Sequence, residues 1–166
     1  MSTSVLLDTS FLISLVNAHR PHHATAERYY RHMLQTNVPM YFSAIVASEF
    51  GIKQDIADLP LGNFRPLNFN IPHGQQAARV WNQLGLRDTG DARAVVRDDA
   101  KLIAQASHED IGFILTEDAN TLYKYCERLR HAGHILTRAI KLADGFDANA
   151  IREDGQAGLS FAETPL

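Results

Sequence analysis

Short apolar runs that end on an acidic residue and pass directly into helical spacing place the tightest limit on how this chain can fold. Val5-Leu6-Leu7 stops at Asp8-Thr9-Ser10, after which Phe11, Leu12, Leu15 and Val16 recur at the period of a helix, so Asp8 lies on a strand-to-helix turn. Phe113-Ile114-Leu115 repeats the arrangement and ends in Thr116-Glu117-Asp118. Strands that alternate with helices in this way argue for an α/β fold with a parallel sheet covered on both faces.

The rest of the chain continues the alternation. Helices are predicted over 10–18 and 22–35, broken at Pro21, and a second strand over 38–42. Ser43 is placed as the N-cap of a helix that carries Glu49 and ends near 56. A Pro- and Gly-containing loop spans 58–63, followed by an extended piece at 64–68 and a helix over 72–84. After a break at 85–90 come a helix over 94–107, a strand over 112–115, a helix over 120–132 and an apolar piece at 139–142. Residues 1–143 read as one domain. From 144 onward glycines stand among acidic and small residues, which reads as a C-terminal tail, mobile or docking on a partner.

A chain of 166 residues can bury roughly 70% of its unfolded surface and fold without disulfides. Cys126 is the single cysteine and sits among Leu122, Tyr125 and Leu129, a packing position. No apolar stretch reaches the ~18 residues of a membrane span, and Met1-Ser2-Thr3-Ser4 does not begin a signal peptide, so a cytoplasmic location is expected. A net charge of −3 weighs against nucleic-acid binding unless cations offset the acidic residues. Lys124, Arg128, Arg130, Arg138 and Lys141 provide a basic group late in the chain, read first as a solvated helical face and only second as a local nucleic-acid contact.

Four carboxylates stand out by position. Asp8 and Asp118 follow strands, Asp99 opens the run Ala100-Lys101-Leu102-Ile103-Ala104-Gln105-Ala106, and Glu49 follows Ile45-Val46-Ala47-Ser48. Parallel sheets bind ligands outside the carboxyl ends of their strands, so Asp8 and Asp118 point to one edge and Glu49 and Asp99 can reach it from helices. Singly, each has a duller role, as a helix cap, a dipole partner or a solvated residue. Together they repel one another and call for a cation. Hard oxygen donors suit Mg2+ or Mn2+, whose chemistry is water activation and phosphodiester hydrolysis; the spacing leaves one ion or two open. His19, His22 and His23 offer a rival zinc cluster, but no Cys or further ligand pair completes it.

Leu6-Leu7-Asp8-Thr9-Ser10-Phe11-Leu12, Ser48-Glu49-Phe50, Asp99-Ala100-Lys101-Leu102-Ile103-Ala104-Gln105-Ala106 and Leu115-Thr116-Glu117-Asp118, in that order, resemble the PIN-domain nucleases, and among them the VapC-like toxins of toxin-antitoxin systems. The resemblance spans about residues 4–142. It implies a three-layer α/β/α fold with a central, mainly parallel sheet and RNA cleavage with Mg2+ or Mn2+. It implies Asp8, Glu49, Asp99 and Asp118 as metal ligands, with Thr9, Ser10 and Thr116 in support. Asp98 precedes Asp99, so the third ligand is one or the other, with Leu102, Ile103 and Ala106 spaced best for Asp99. Asn120 stands where many relatives carry a further acidic residue. The implied partners are an RNA substrate, an antitoxin that plugs the cleft with Arg or Lys, and a second copy in a homodimer. The alternatives are a PIN nuclease acting in RNA processing or on DNA without an antitoxin, and a catalytically idle binding module.

Overall fold

A computed structural model of the protein describes residues 2–152. Five strands form one sheet in the order β3-β2-β1-β4-β5: β1 (Ser2–Leu7), β2 (Met40–Ser43), β3 (Arg65–Leu67), β4 (Ile111–Thr116) and β5 (Arg138–Lys141). Every neighbouring pair is parallel. Val5 to Leu7 and the whole of β4 are buried at every position. Successive side chains point to opposite faces, so burial without alternation means that both faces are covered. The covering layers are α1 (Thr9–Val16), α2 (His23–Gln35), α3 (Ala44–Lys53), α4 (Ile71–Leu84), α5 (Arg93–His108) and α6 (Leu122–His131), which completes the three-layer α/β/α arrangement.

The register between the two central strands positions the functional edge. Leu6 pairs with Ile114 and Leu7 with Leu115, so Asp8 and Thr116 leave the sheet side by side. At the other end a Cβ on Gly112 would lie 2.5 Å from the Ser2 carbonyl oxygen, a closeness that only glycine permits, and the register shifts between Ser2 and Val5.

Two helices are anchored by side chains that the sequence makes conspicuous. Ser43 caps α3 as expected, its Oγ accepting from Ile45 N at 3.1 Å. The same hydroxyl donates to Gln105 Oε1 at 2.6 Å, and Gln105 Nε2 donates to Asn68 O at 3.0 Å. Gln105 is fully buried on the otherwise apolar face of α5 and satisfied at both ends of its amide. α3 stops at Lys53, short of the expected 56. Gln54 turns extended there, and Asp55 Oδ1 accepts from Ala57 N at 2.9 Å to start a separate 3-10 turn, Ile56–Asp58.

The segment expected to be a tail begins as packed chain. Phe146 meets the Tyr29 ring edge-on at 4.9 Å and carries the Arg28 guanidinium 4.5 Å from its centre. Tyr29 Oη donates to Gly145 O and accepts from Asp147 N, and Ile151 is only 3% exposed. Residues 153–166, where the tail reading continues, lie outside the described residues.

Cys126 is buried, with its thiol 3.6 Å from Thr137 O and its pKa pushed up by burial, so it packs rather than reacts. Three members of the late basic group are paired in place. Lys124 pairs with Asp91 at 2.6 Å and Asp88 at 2.9 Å, Arg128 with Asp88 at 2.9 Å, and Arg130 with Glu127 at 2.7 Å. Lys124 and Arg128 thereby fasten the α4–α5 connection to α6 instead of forming a docking face. Among the described residues no helix is long and apolar enough to cross a membrane.

Candidate metal centre

The edge formed by β1 and β4 opens into a cleft of about 380 Å3. Asp8, Glu49, Asp98, Asp99 and Asp118 all line it, with Thr9 and Ser10, and with Arg20 and Lys53 as the cationic wall. Five carboxylates from four separate stretches of chain therefore share one concavity.

Asp8 is 7% exposed, and its Oδ2 accepts from Ser10 Oγ at 2.7 Å and from Thr116 Oγ1 at 2.8 Å. Burial raises its pKa against those two hydrogen bonds. Glu49 Oε2 accepts from Thr9 Oγ1 at 2.6 Å, and burial, with Asp8 and Asp98 nearby, raises its pKa too. Asp118 forms the turn before α6, its Oδ1 accepting from Asn120 N at 2.9 Å and Thr121 N at 3.0 Å, and its Oδ2 from the Thr121 hydroxyl.

Asp99 is the outlier. Its Oδ2 is the buried side-chain polar atom that finds no hydrogen-bond partner among the described residues. Burial pushes its carboxyl up to about 8; the charges of Asp8, Asp118 and Glu49 add to the shift, while the Thr121 hydroxyl opposes it. A buried, unpartnered carboxylate oxygen facing three other carboxylates is the condition that a cation relieves. The donor set is all hard oxygen, so these residues fit Mg2+ or Mn2+.

The Asp98-Asp99 ambiguity takes a geometric form. Asp98 lies at the rim with its side chain 43% exposed and 3.4 Å from Lys101 Nζ, whereas Asp99 points inward without such a partner. Thr9, Ser10 and Thr116 each hydrogen-bond a carboxylate or its loop, Thr116 Oγ1 also accepting from Asp118 N at 2.9 Å. Asn120 is exposed and serves the turn through its backbone N–H, not its side chain.

Sequence reasoning passed over two contributors. Thr121 holds both oxygens of Asp118, which an Asp-x-x-Thr turn spacing could have signalled. Glu117, between two singled-out residues, accepts from the Ser14 hydroxyl and from Arg20 Nη2 at 3.0 Å. Burial works against its charge, yet those two donors hold its pKa below the ordinary value. Arg20 is thereby fixed on the cleft wall.

A model of the PIN domain matches residues 5–128 of the sequence. The chain belongs to the PIN-domain family. No curated protein matches it in sequence. Among solved structures it is similar to VapBC2 from Rickettsia felis bound to a DNA fragment from their promoter, with 14% identity and a TM-score of 0.55 over 81% of this chain and 97% of that one. FitAcB from Neisseria gonorrhoeae gives 14% identity and a TM-score of 0.57 over 84% and 98% of the two chains. VapC20 from Mycobacterium tuberculosis, described as a sarcin-ricin loop cleaving toxin, gives 19% and 0.53 over 81% and 99%. At these identities the likeness speaks for the PIN fold.

A second group of metal-ligating types, His73, His108 and Glu109, lies away from the cleft, between the start of α4 and the end of α5. His73 Nδ1 accepts from Asn70 N at 2.9 Å, which leaves the ring proton on Nε2, 2.6 Å from Glu109 Oε1. Both ring nitrogens are thus engaged. Coordination through Nε2 would need the proton on Nδ1, where a donor already points, so this PIN domain uses the group as a bolt between α4 and α5. His23 is likewise occupied, its Nδ1 lying 2.8 Å from Ser14 O.

Proposed function

We propose that this PIN-domain protein is a divalent-metal-dependent endoribonuclease, the toxin half of a toxin-antitoxin pair. The observation that carries the reading is the convergence of Asp8, Glu49, Asp99 and Asp118 on one cleft in which Asp99 Oδ2 has no partner. Asp8, Asp99 and Asp118 would hold the Mg2+ or Mn2+, and Glu49, steadied by Thr9, would serve as an outer ligand or water orienter. When bound, the ion supplies an acidified water and stabilises charge on the leaving oxygen of an in-line displacement at phosphorus.

The chain itself arranges the reactants. Ser10 and Thr116 aim Asp8 by both donating to its Oδ2. Arg20, held by Glu117, and Lys53 bring positive charge to the phosphates flanking the one cleaved. RNA is the favoured substrate class because the similar solved structures include a sarcin-ricin loop cleaving toxin. VapBC2 from Rickettsia felis and VapBC from Salmonella typhimurium, both solved with DNA, support a partner of the antitoxin kind, and such a partner would insert an Arg or Lys among the carboxylates.

The test is cleavage of a mixed RNA pool, with a DNA pool in parallel, by wild type and Asp8→Asn in Mg2+, Mn2+ or EDTA, with fragment ends sequenced. Metal-dependent RNA cutting that Asp8→Asn abolishes is the expected result. Unchanged cutting by Asp8→Asn would sink the proposal, and DNA-only cutting would replace its substrate.

A further inference from the structure

The amino-terminal half of α5 divides two concavities. Val95, Asp98 and Asp99 line the acidic cleft, while Arg93, Arg97 and Lys101 line a separate groove of about 300 Å3 between α4 and α5. The groove has aromatic walls, Phe69 and Trp81, and a floor of small residues that leaves it open. A Cβ placed on Gly74 would meet nothing nearer than the Phe69 ring, at 4.0 Å. Among the described residues no acidic side chain lines it. Arg93 sits 5.8 Å from the centre of the Trp81 ring, and Lys101 reaches over the helix toward Asp98. Arg93 and Arg97 are exposed and have no carboxylate partner among the described residues, unlike the cations of α6.

We infer that this groove is a base-stacking subsite for single-stranded RNA, taking a nucleotide that flanks the one held at the carboxylates. The inference rests on the nuclease reading and deepens it. An aromatic ring with the Arg93 guanidinium over it and further cations beside it, free of acidic groups, is complementary to a base and its phosphates, since every base offers a π-face and each phosphate a negative charge. The two sites are contiguous: a strand leaving the cleft crosses a single helix, about 10–12 Å wide with its side chains, before it meets Arg97 and Trp81. The cleft sets five carboxylates against Arg20 and Lys53, whereas the groove holds three cations and, among the described residues, no acidic side chain. RNA is therefore retained here even without metal.

Trp81 is the single tryptophan of the chain, so its emission reports the groove alone. Metal-free wild type in EDTA is titrated with a short single-stranded RNA, following Trp81 emission, and with the same RNA dye-labelled, following anisotropy. The two signals saturate with one midpoint. Trp81→Ala weakens binding roughly tenfold and Trp81→Phe restores it to within about threefold, as stacking requires. Arg93→Gln with Arg97→Gln lowers the slope of log affinity against log salt by about 0.7 for each phosphate left without its cation. RNA that binds and is cut with metal while Trp81 emission and the Trp81→Ala affinity stay unchanged overturns the groove assignment and leaves the nuclease reading standing. Emission that follows protein concentration or an added acidic peptide, and not RNA, assigns the groove to protein and overturns the inference. Absence of both binding and metal-dependent cutting removes the two together.

Discussion

Thr116 Oγ1 donates to Asp8 Oδ2 at 2.8 Å, joining residues 108 positions apart at the ends of the two central strands. The same oxygen accepts from Asp118 N at 2.9 Å, so one buried hydroxyl orients a carboxylate on one strand and the turn carrying a carboxylate on the next. Thr116→Val keeps the shape and removes both bonds. Groups that orient metal ligands are commonly worth about 10–100-fold in metal affinity. Calorimetric Mn2+ titration of Thr116→Val is expected to show a loss in that range, and Thr116→Ser to recover most of it. Equal affinity in all three proteins would deny Thr116 its orienting role.

Asp98 and Asp99 are adjacent in sequence and opposite in circumstance. Asp99→Asn is predicted to lower metal-dependent cleavage by at least about 100-fold, in line with losing a group that acts on the reacting centre. Asp98→Asn, at the rim beside Lys101, is predicted to stay within about threefold. Single-turnover cleavage rates of the two variants decide between them, and the reverse ranking would move the third ligand to Asp98.

The metal-free protein should lose stability as pH rises. The folded Asp99 carboxyl keeps its proton up to about 8, whereas the unfolded one releases it near 3.8. The contribution of this group is therefore fully present below about pH 4 and fades as pH climbs through 8. Asp8 and Glu49, also raised by burial, act in the same direction. Melting temperatures in EDTA are expected to fall between pH 6 and pH 8.5, and added Mg2+ to raise them more at the higher pH. Asp99→Asn should flatten the EDTA profile. A wild-type profile in EDTA that is flat or rising would contradict the assignment.

Ile151 and Phe146 make residues 144–152 part of the packed domain. Ile151→Ala is predicted to cost about 2–5 kcal/mol, the usual range for a buried Ile truncated to Ala. Urea unfolding monitored by circular dichroism measures it, and a cost near zero would make this segment dispensable.

The strand ends were legible because Val5-Leu6-Leu7 and Phe113-Ile114-Leu115 are too short for helices and stop at acidic turns. The Ser43 cap was legible for a local reason, a hydroxyl one residue ahead of a helix. The convergence of Asp8, Glu49, Asp99 and Asp118 on one cleft also followed from strand-end geometry. Contacts across the fold were hidden, since periodicity tells which face a residue takes and not what it meets. Helical spacing marks Lys124 and Arg128 as cations on a solvated face, but not their pairing with Asp88 and Asp91 across the fold. Trp81 and Arg97 are 16 positions apart on different helices, with nothing in either to announce a shared groove.

Gln105 lies six residues after Asp99 on the same helix, about 9 Å along its axis. Its amide is pinned to Ser43 at the end of β2 and to the Asn68 carbonyl just past β3. A helix packed only by apolar side chains can slide by one turn, about 5.4 Å, and exchange one greasy contact for another. With Gln105 such a slide strands a buried amide, so the lengthwise setting of α5 is fixed from a point remote from the cleft. Gln105→Leu would leave the core apolar and Asp99 chemically unchanged, yet let the carboxylate drift out of step with Asp8.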